Sequence, residues 1–171
     1  TSHVCDVNVD SGGVVRTVIP DAFVEAMPVT TATFTLATED GQTTADGWTS
    51  LSVIGTELGD PENDALPTEP TDPRVIDPDR DGRPGVTVMV RGMVDGEIYV
   101  VQRGWTEFRV RRLDEDRLDG WLEWTNEQQI LGASDRVLES GPPTDVDPDP
   151  DRNYFRTRRV ATGASCLDLR R

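Results

Sequence analysis

Short stretches of alternating apolar and polar residues recur along the chain, separated by turn residues and by proline. Such alternation over four to eight residues is typical of half-buried β-strands, since successive side chains of a strand point to opposite faces. The clearest example starts at Val86, where three valines alternate with Thr87 and Met89. The pattern predicts strands at residues 13–19, 30–38, 48–55, 86–91, 97–103, 105–111, 118–131 and 154–160.

Turn signals connect the four strands from residue 86 to residue 131 into a sequential meander. Asp95-Gly96 is a strong hairpin signal, Gly104 marks a second turn, and residues 114–117 mark a third. Residues 21–27 are predicted to form either one or two helical turns or an irregular strand. A helix over residues 126–139 is an alternative to the end of the last meander strand.

Two acidic, proline-rich segments interrupt the strands and are predicted to be long loops. Residues 56–85 contain six prolines, and residues 141–152 form the second loop. With about eight antiparallel strands, the chain is predicted to be a single all-β domain spanning residues 1–171. An up-and-down barrel of the calycin type is favoured by the sequential meander, and a β-sandwich is the alternative.

The charge of the chain changes which partners are expected. There are 32 acidic residues against 17 arginines and no lysine, for a formal net charge of -15. This balance argues against nucleic-acid binding, which requires a basic surface for phosphates. The absence of lysine fits both a GC-rich genome and adaptation to high salt, and the two readings stay open. No apolar run is long enough to span a membrane.

The two cysteines, Cys5 and Cys166, lie near opposite ends of the chain. The chain begins with Thr1 rather than Met, as expected of a mature exported protein or of a trimmed chain. In an exported protein an isolated pair is most simply a disulfide, and two buried free thiols are the alternative. We therefore expect a secreted or cell-envelope location.

The most specific motif is Asp77-Pro-Asp79-Arg-Asp81-Gly82-Arg83-Pro-Gly85. Three carboxylates at alternate positions followed by a glycine can wrap around one cation. The motif resembles the calcium loops of EF-hands, dockerins and thrombospondin type 3 repeats. This resemblance implies that Asp77, Asp79 and Asp81 bind Ca²⁺ through their side chains and that Arg83 binds it through its carbonyl oxygen. The alternative is a solvated acidic loop.

The motif departs from an EF-hand at its end, because position 12 of such a loop would be Val88 rather than a bidentate glutamate. Further ligands are then expected from Asp72 or from the second acidic loop. That loop, residues 145–153, also spaces its acidic residues by two but has no glycine. The run at residues 81–87 is also similar to the beginnings of strands in uncharacterised exported bacterial proteins, which implies export but no activity.

Four arginines are candidate ligand-binding residues, because Arg109 and Arg111 share one strand face and Arg156 and Arg158 share another. Inside a barrel they would bind an anionic group by paired hydrogen bonds, as arginines do in calycin barrels that resemble lipocalins. The alternative is an outer face on which these arginines pair with acidic residues. The tryptophans are predicted to be core residues.

His3 is the sole histidine and lies in the N-terminal tail, which argues against a Ser–His–Asp or Cys–His catalytic arrangement. Glu107, Glu123 and Glu127 are candidates for a carboxylate pair of the kind that hydrolases use. We therefore predict a non-enzymatic, calcium-stabilised structural or binding module with an unknown protein or small-molecule partner. A lipocalin-like carrier of a small anionic or apolar ligand is the first alternative, and a carboxylate-based hydrolase is the second.

Overall fold

The computed structural model describes residues 15–27, 31–33, 35–40, 42–45, 47–113, 116–140 and 147–161. Within these ranges the structure is mostly β, as the sequence predicts. The elements are β1 (Val15–Val18), α1 (Asp21–Ala26), β2 (Leu36–Glu39), β3 (Gln42–Ala45), β4 (Trp48–Ile54), β5 (Val86–Gly92), β6 (Gly96–Leu113), β7 (Arg117–Ala133) and β8 (Tyr154–Arg158), with 3-10 turns at Arg136–Ser140 and Pro150–Arg152.

Six of the strands form one sheet, in the order β1-β5-β6-β7-β8 with β4 also paired to β6. The pairs β1–β5, β5–β6 and β7–β8 are antiparallel. β2 and β3 form a separate antiparallel hairpin, in which Asp40 takes a positive φ of 50° at the turn. Closure of the sheet into a barrel, or its division into a sandwich, stays a prediction.

Two sequence predictions of element boundaries are wrong, and one alternative is excluded. Gly104 is not a turn, because the two strands predicted on either side of it are one continuous strand, β6. The predicted strand at 30–38 is instead the shorter β2, and the next strand of its hairpin, β3, was not predicted. The helix considered for residues 126–139 does not form, because β7 continues to Ala133 and only a 3-10 turn follows.

Chain contacts divide the protein into two compact units. The first unit comprises Thr1–Thr30, Leu51–Trp105 and Thr125–Asp145, and the second comprises Thr31–Ser50, Thr106–Trp124 and Val146–Arg171. Whether they form one domain, as the sequence predicts, stays a prediction.

The core of the first unit lies on one face of β5 and β6. The alternation of β5 buries its valines on this face, and α1 and the 3-10 turn at Arg136–Ser140 cover it with Phe23 and Leu138. Burial of these apolar side chains is the main favourable term in folding. The buried members of this cluster are Phe23, Ile54, Val86, Val88, Val90, Ile98, Val100 and Leu138.

The opposite face of the same strands is covered by the acidic loop, which we define as residues 56–85. The strand residues on this side, which we call the loop face, are Thr87, Tyr99, Val101 and Arg103. Leu66 of the loop packs with Val101 and Leu131 in a second buried cluster. The acidic loop is therefore a loop, as predicted, but it supplies a covering layer for the sheet.

Backbone hydrogen bonds join the start of the acidic loop to residues 75 and 76 in its later part. Thr56 forms an isolated antiparallel bridge with Val75, and the Ile76 N–H donates to the Gly55 carbonyl at 3.0 Å. Gly85, the last residue of the loop, has a φ of 80°, and a Cβ there would lie 2.2 Å from the Val100 carbonyl oxygen. Only glycine allows the chain to pass this close to β6.

The second unit is held together by an aromatic cluster that we define as Trp48, Phe108 and Phe155. The rings of Trp48 and Phe108 stack at 4.6 Å, and Phe155 meets them edge-on at 5.9 and 5.3 Å. Both arrangements are favoured by the charge distribution of aromatic rings. Trp48 therefore packs inside this unit as predicted, whereas Trp121 is 38% exposed.

Candidate metal centre

The Asp77–Arg83 segment wraps because the carboxylate of Asp77 accepts hydrogen bonds from the chain that follows it. The Asp81 N–H donates to Asp77 Oδ1 at 3.2 Å, and the Gly82 N–H donates to Asp77 Oδ2 at 2.9 Å. Arg80 and Gly82 take positive φ values of 59° and 81°, which reverse the chain direction. Asp77 thus organises the turn, as small carboxylates do when they bond to their own backbone.

Thr87 of β5 anchors the other two carboxylates to the sheet. Its backbone N–H donates to Asp79 Oδ2 at 2.8 Å, and its hydroxyl donates to Asp81 Oδ2. The Arg83 N–H donates to Asp81 Oδ1 at 2.8 Å. Thr87 is buried on the loop face, so these bonds fix the position of the motif on the sheet.

The three carboxylates come together in the way that a cation site requires. One oxygen from each of Asp77, Asp79 and Asp81 lies within 4.8 Å of the others. Two oxygens bound to one Ca²⁺ at about 2.4 Å can be at most about 4.8 Å apart, so the spacing fits. In addition, Asp79 Oδ1 is buried and has no hydrogen-bond partner. A buried carboxylate oxygen without a partner is costly unless a cation binds it.

The electrostatics of the site reflect this crowding. Burial raises the pKa of Asp79; the negative charge of Asp81 adds to the rise, and the Thr87 N–H opposes it. Burial also acts to raise the pKa of Asp77, but hydrogen bonds that include those from the Gly82 and Asp81 N–H groups outweigh it and lower the pKa. The neighbouring carboxylates thus have opposite pKa shifts, as expected where like charges share one site.

The residues that the sequence suggested as further Ca²⁺ ligands have other contacts in the structure. Asp72 forms a two-pronged salt bridge with Arg74, at 2.8 and 3.0 Å, and the Arg74 hydrogen bonds lower the Asp72 pKa. In the second acidic loop, Asp147 accepts the Asp149 N–H at 2.9 Å. Arg83 places its guanidinium over the Tyr99 ring at 5.2 Å. The role of its carbonyl oxygen as a ligand stays a prediction.

The candidate ligand-binding arginines have different surroundings. Arg109 is exposed and forms ion pairs with Glu107 at 3.0 Å and with Glu123 at 3.5 Å. Arg156 lies over the Tyr154 ring at 4.8 Å, and Arg158 is exposed. The Arg111 side chain lies outside the described part of the structure. The Arg109 contacts match the outer-face alternative, in which arginines pair with acidic residues.

The candidate hydrolase carboxylates are all in contact with arginine. Glu107 and Glu123 share Arg109, and Glu127 pairs with Arg103 in the first unit. The proposed disulfide residues, Cys5 and Cys166, lie outside the described residues, as does His3.

Sequence reasoning missed Arg103, the residue that fixes the far side of the acidic loop. Its guanidinium is buried on the loop face, donates to the carbonyl oxygens of Pro61 at 3.1 Å and Asp64 at 2.8 Å, and pairs with Glu127. It also lies over the Trp105 ring at 4.9 Å. The sequence does contain a sign of this role, because Arg103 follows Tyr99 and Val101 at alternate positions of an apolar strand and therefore shares their face.

Comparison with known proteins identifies no relative: no family model, no curated protein and no solved structure matches the chain. No helix within the described ranges is long and apolar enough to cross a membrane.

Proposed function

We propose that this protein is an exported, calcium-stabilised β domain with a non-enzymatic role as a structural or binding module of the cell envelope or extracellular space. Two observations on Asp79 carry the proposal: one of its carboxylate oxygens lies within 4.8 Å of an oxygen of Asp77 and one of Asp81, and its Oδ1 is buried without a hydrogen-bond partner. A cation there would neutralise three crowded carboxylates and provide the missing partner of Asp79.

The position of the site explains what the cation would do. Asp79 and Asp81 bond to Thr87, so the site joins the end of the acidic loop to β5. Ca²⁺ would stabilise the folded protein because Thr87 holds two of the three carboxylates only when the loop lies on β5. The proposal therefore assigns Ca²⁺ a structural role.

The proposal includes the finer architecture and the location. The sequential pairing of β5, β6, β7 and β8 supports an up-and-down barrel over a sandwich. Export is supported by the sequence, which has one pair of cysteines for a disulfide. The change in mass after alkylation, with and without reductant, tests the Cys5–Cys166 bond; alkylation of both thiols without reductant would contradict it.

Thermal unfolding of the chelator-treated protein tests the calcium site. At a Ca²⁺ concentration of about 100 times Kd, binding stabilises the folded state by about 2.7 kcal/mol, which corresponds to a rise in Tm of about 5–10 °C at this chain length. Mg²⁺ should have a smaller effect, because it demands a tighter octahedral site.

Matched variants localise the effect. Asp79→Asn and Asp81→Asn should abolish the response to Ca²⁺, and Asp79→Asn should also raise the Tm in chelator because it removes a buried charge. Glu69→Gln removes one charge from the same loop at an exposed position and should respond like the unmodified protein. Absence of any Ca²⁺-dependent shift in Tm, together with no binding heat in calorimetry, would refute the site.

A further inference from the structure

The strand β8 lies at an edge of the six-stranded sheet, and its charge is opposite to that of the chain as a whole. Among the described strands, β8 pairs only with β7. Residues 154–159 contain three arginines and no acidic residue, in a chain whose formal net charge is -15. An edge strand presents backbone N–H and C=O groups that can pair with another strand. The edge of β8 therefore offers both a backbone template and a positive charge.

Contacts within the second unit already hold β8 in its extended conformation. Phe155 packs edge-on in the aromatic cluster, at 5.9 and 5.3 Å from its two neighbours. The Thr157 hydroxyl donates to the Leu118 carbonyl oxygen at 2.9 Å, and just beyond the strand the Arg159 N–H donates to the Asp116 carbonyl oxygen at 2.8 Å. A strand that is ordered before binding loses little conformational entropy when a second strand pairs with it.

The two arginines inside the strand are available for a partner. Arg156 and Arg158 share the face of β8 opposite to Phe155, and both side chains are exposed. Within the part of the chain that the structure describes, neither forms a salt bridge. The flanking arginines do: Arg152 pairs with two aspartates at 3.3 and 3.8 Å, and Arg159 lies 4.0 Å from Asp116. The positive charge without a carboxylate partner is thus concentrated on β8 itself.

The strand register adds a further positive charge beside this edge. Arg158 lies directly opposite Arg117 of β7. Like charges opposite each other destabilise a sheet, and side chains on adjacent strands are only about 4.5–5.5 Å apart at their Cβ atoms. A carboxylate on a strand added along β8 would offset this repulsion and accept paired hydrogen bonds from the Arg158 guanidinium.

The two faces of β8 select the chemistry of the partner strand. Two copies of β8 pairing edge to edge would set their arginines against each other, so the edge disfavours self-association. A partner strand with acidic residues on the arginine face avoids this conflict, and apolar residues between them would continue the face of Phe155. The net charge of -15 opposes an acidic partner at long range. At about 0.15 M salt, however, exposed charges more than about 8 Å apart are largely screened.

We propose that the edge of β8 binds an extended acidic segment of a partner protein as an added strand, with Arg156 and Arg158 binding alternate carboxylates of that segment. Backbone pairing supplies the orientation, and the two arginines supply the specificity for acidic residues. The inference goes beyond the calcium-stabilised module proposed above and does not depend on the cation, because β8 belongs to the second unit. It gives the binding module a class of partner whether or not Ca²⁺ binds in the first unit.

Fluorescence anisotropy with labelled peptides tests the proposal on the full-length protein, in Ca²⁺ and in EDTA. The probe alternates valine with glutamate, and a matched peptide replaces each glutamate by glutamine. We expect the acidic peptide to bind under both conditions and the glutamine peptide to bind at least about tenfold more weakly. Binding that persists in EDTA separates this edge from the metal centre. No binding of the acidic peptide at about 1 mM, or equal affinity for both peptides, would overturn the proposal.

Two further probes distinguish strand addition from simple attraction of an anion. One peptide carries N-methyl groups on its valine amides and the other carries them on its glutamate amides, so that only one of the two loses the N–H groups that face β8. One of these peptides should therefore lose binding and the other should keep it. Equal affinity for both, or equally tight binding of a uronic acid oligomer of the same charge, would show that no strand is added.

Variants of the exposed arginines test the residues without disturbing the core. Arg156→Gln and Arg158→Gln should each weaken binding of the acidic peptide by about two- to fivefold, and the double variant by about tenfold. Arg91→Gln removes the same charge from an exposed position of β5 in the first unit and should change affinity less than about twofold. Unchanged affinity in the double variant, or an equal loss in Arg91→Gln, would refute the assignment.

Discussion

Replacement of Arg103 by methionine should destabilise the protein more than any exposed arginine replacement, although no sequence motif marks this residue. Methionine keeps the apolar volume of the side chain but removes every donor. Pro61 and Asp64 then lose the hydrogen bonds to their carbonyl oxygens, and Glu127 loses its partner. The change therefore isolates the hydrogen bonds between the acidic loop and the loop face.

The expected loss in the free energy of unfolding follows from the hydrogen bonds that Arg103 makes. Each hydrogen bond from a charged donor contributes about 1.5–3 kcal/mol. Glu127 is 40% exposed and can be hydrated again, so its loss adds little. Methionine recovers part of the apolar burial, so we expect a net loss of about 3–4 kcal/mol in the free energy of unfolding. With an m-value of about 2 kcal/mol/M, the urea midpoint should fall by about 1.5–2 M.

Equilibrium unfolding in urea, monitored by tryptophan fluorescence and circular dichroism, measures this change. Arg91→Met is the matched control, because Arg91 is half exposed and its carboxylate partner Asp95 lies 3.9 Å away. Surface pairs of this kind contribute about 0–1 kcal/mol. A loss of less than 1 kcal/mol for Arg103→Met, or losses of equal size for both variants, would show that Arg103 does not hold the acidic loop.

Three further predictions concern other contacts in the protein. Gly85→Ala should unfold the protein or lower its free energy of unfolding by several kcal/mol, because the new Cβ would collide with the Val100 backbone. The Cβ of Gly82→Ala would meet no atom, so this variant should lose only about 1 kcal/mol. Similar urea midpoints for the two variants would contradict this prediction. Phe108→Ala should lower the free energy of unfolding by about 2–3 kcal/mol and reduce the near-ultraviolet circular dichroism of the aromatic cluster, and an unchanged spectrum would argue against the stacking. The Asp72 pKa lies below its ordinary value of 3.8, so its ion pair stabilises the protein above that pH and the benefit disappears as the pH falls through the lowered pKa. The urea midpoint of Asp72→Asn should therefore lie below that of the unmodified protein at about pH 6 and approach it at about pH 2; a constant difference would contradict the assignment.

The sequence predicted strands best where one periodic pattern determined the structure. β5 alternates valine with Thr87 and Met89, and its buried face is the one that the pattern indicates. The Asp-Gly signal at residues 95–96 correctly indicated a turn between β5 and β6 but not its position, because Gly96 pairs with Val90 as the first residue of β6 and the connection lies at residues 93–95. In these segments local preference and tertiary packing agree, so reading the sequence locally was enough.

Errors arose where distant residues determine local structure. Gly104 has the composition of a turn, but the Ser52 side chain approaches its carbonyl oxygen at 3.5 Å, and a strand with a small residue accommodates that neighbour. The burial of Leu66 in a proline-rich loop depends on Val101, 35 positions further along the chain. Periodicity within a window cannot show such contacts.

The sequence predicted the candidate metal ligands but not the residue that anchors them to the sheet. The spacing of Asp77, Asp79 and Asp81 identified a set of oxygens that the fold does bring together. Thr87, which holds two of these carboxylates, belongs to the following strand and has no place in the loop motif. The exposure of Trp121 was missed because four tryptophans in a lean chain were all expected to be core residues.

The adjacent burial of Val100 and Val101, one on each face of β6, has a consequence for how the protein opens in solution. Detachment of the acidic loop would expose to water only the face of β6 that carries Val101. Val100, on the opposite face, would still be covered by α1 and the valines of β5. Partial opening and complete unfolding are then separate events with different free energies. Amide hydrogens in the middle of β6 should exchange with deuterium only through the complete event, whereas those within residues 56–85 exchange through the partial one.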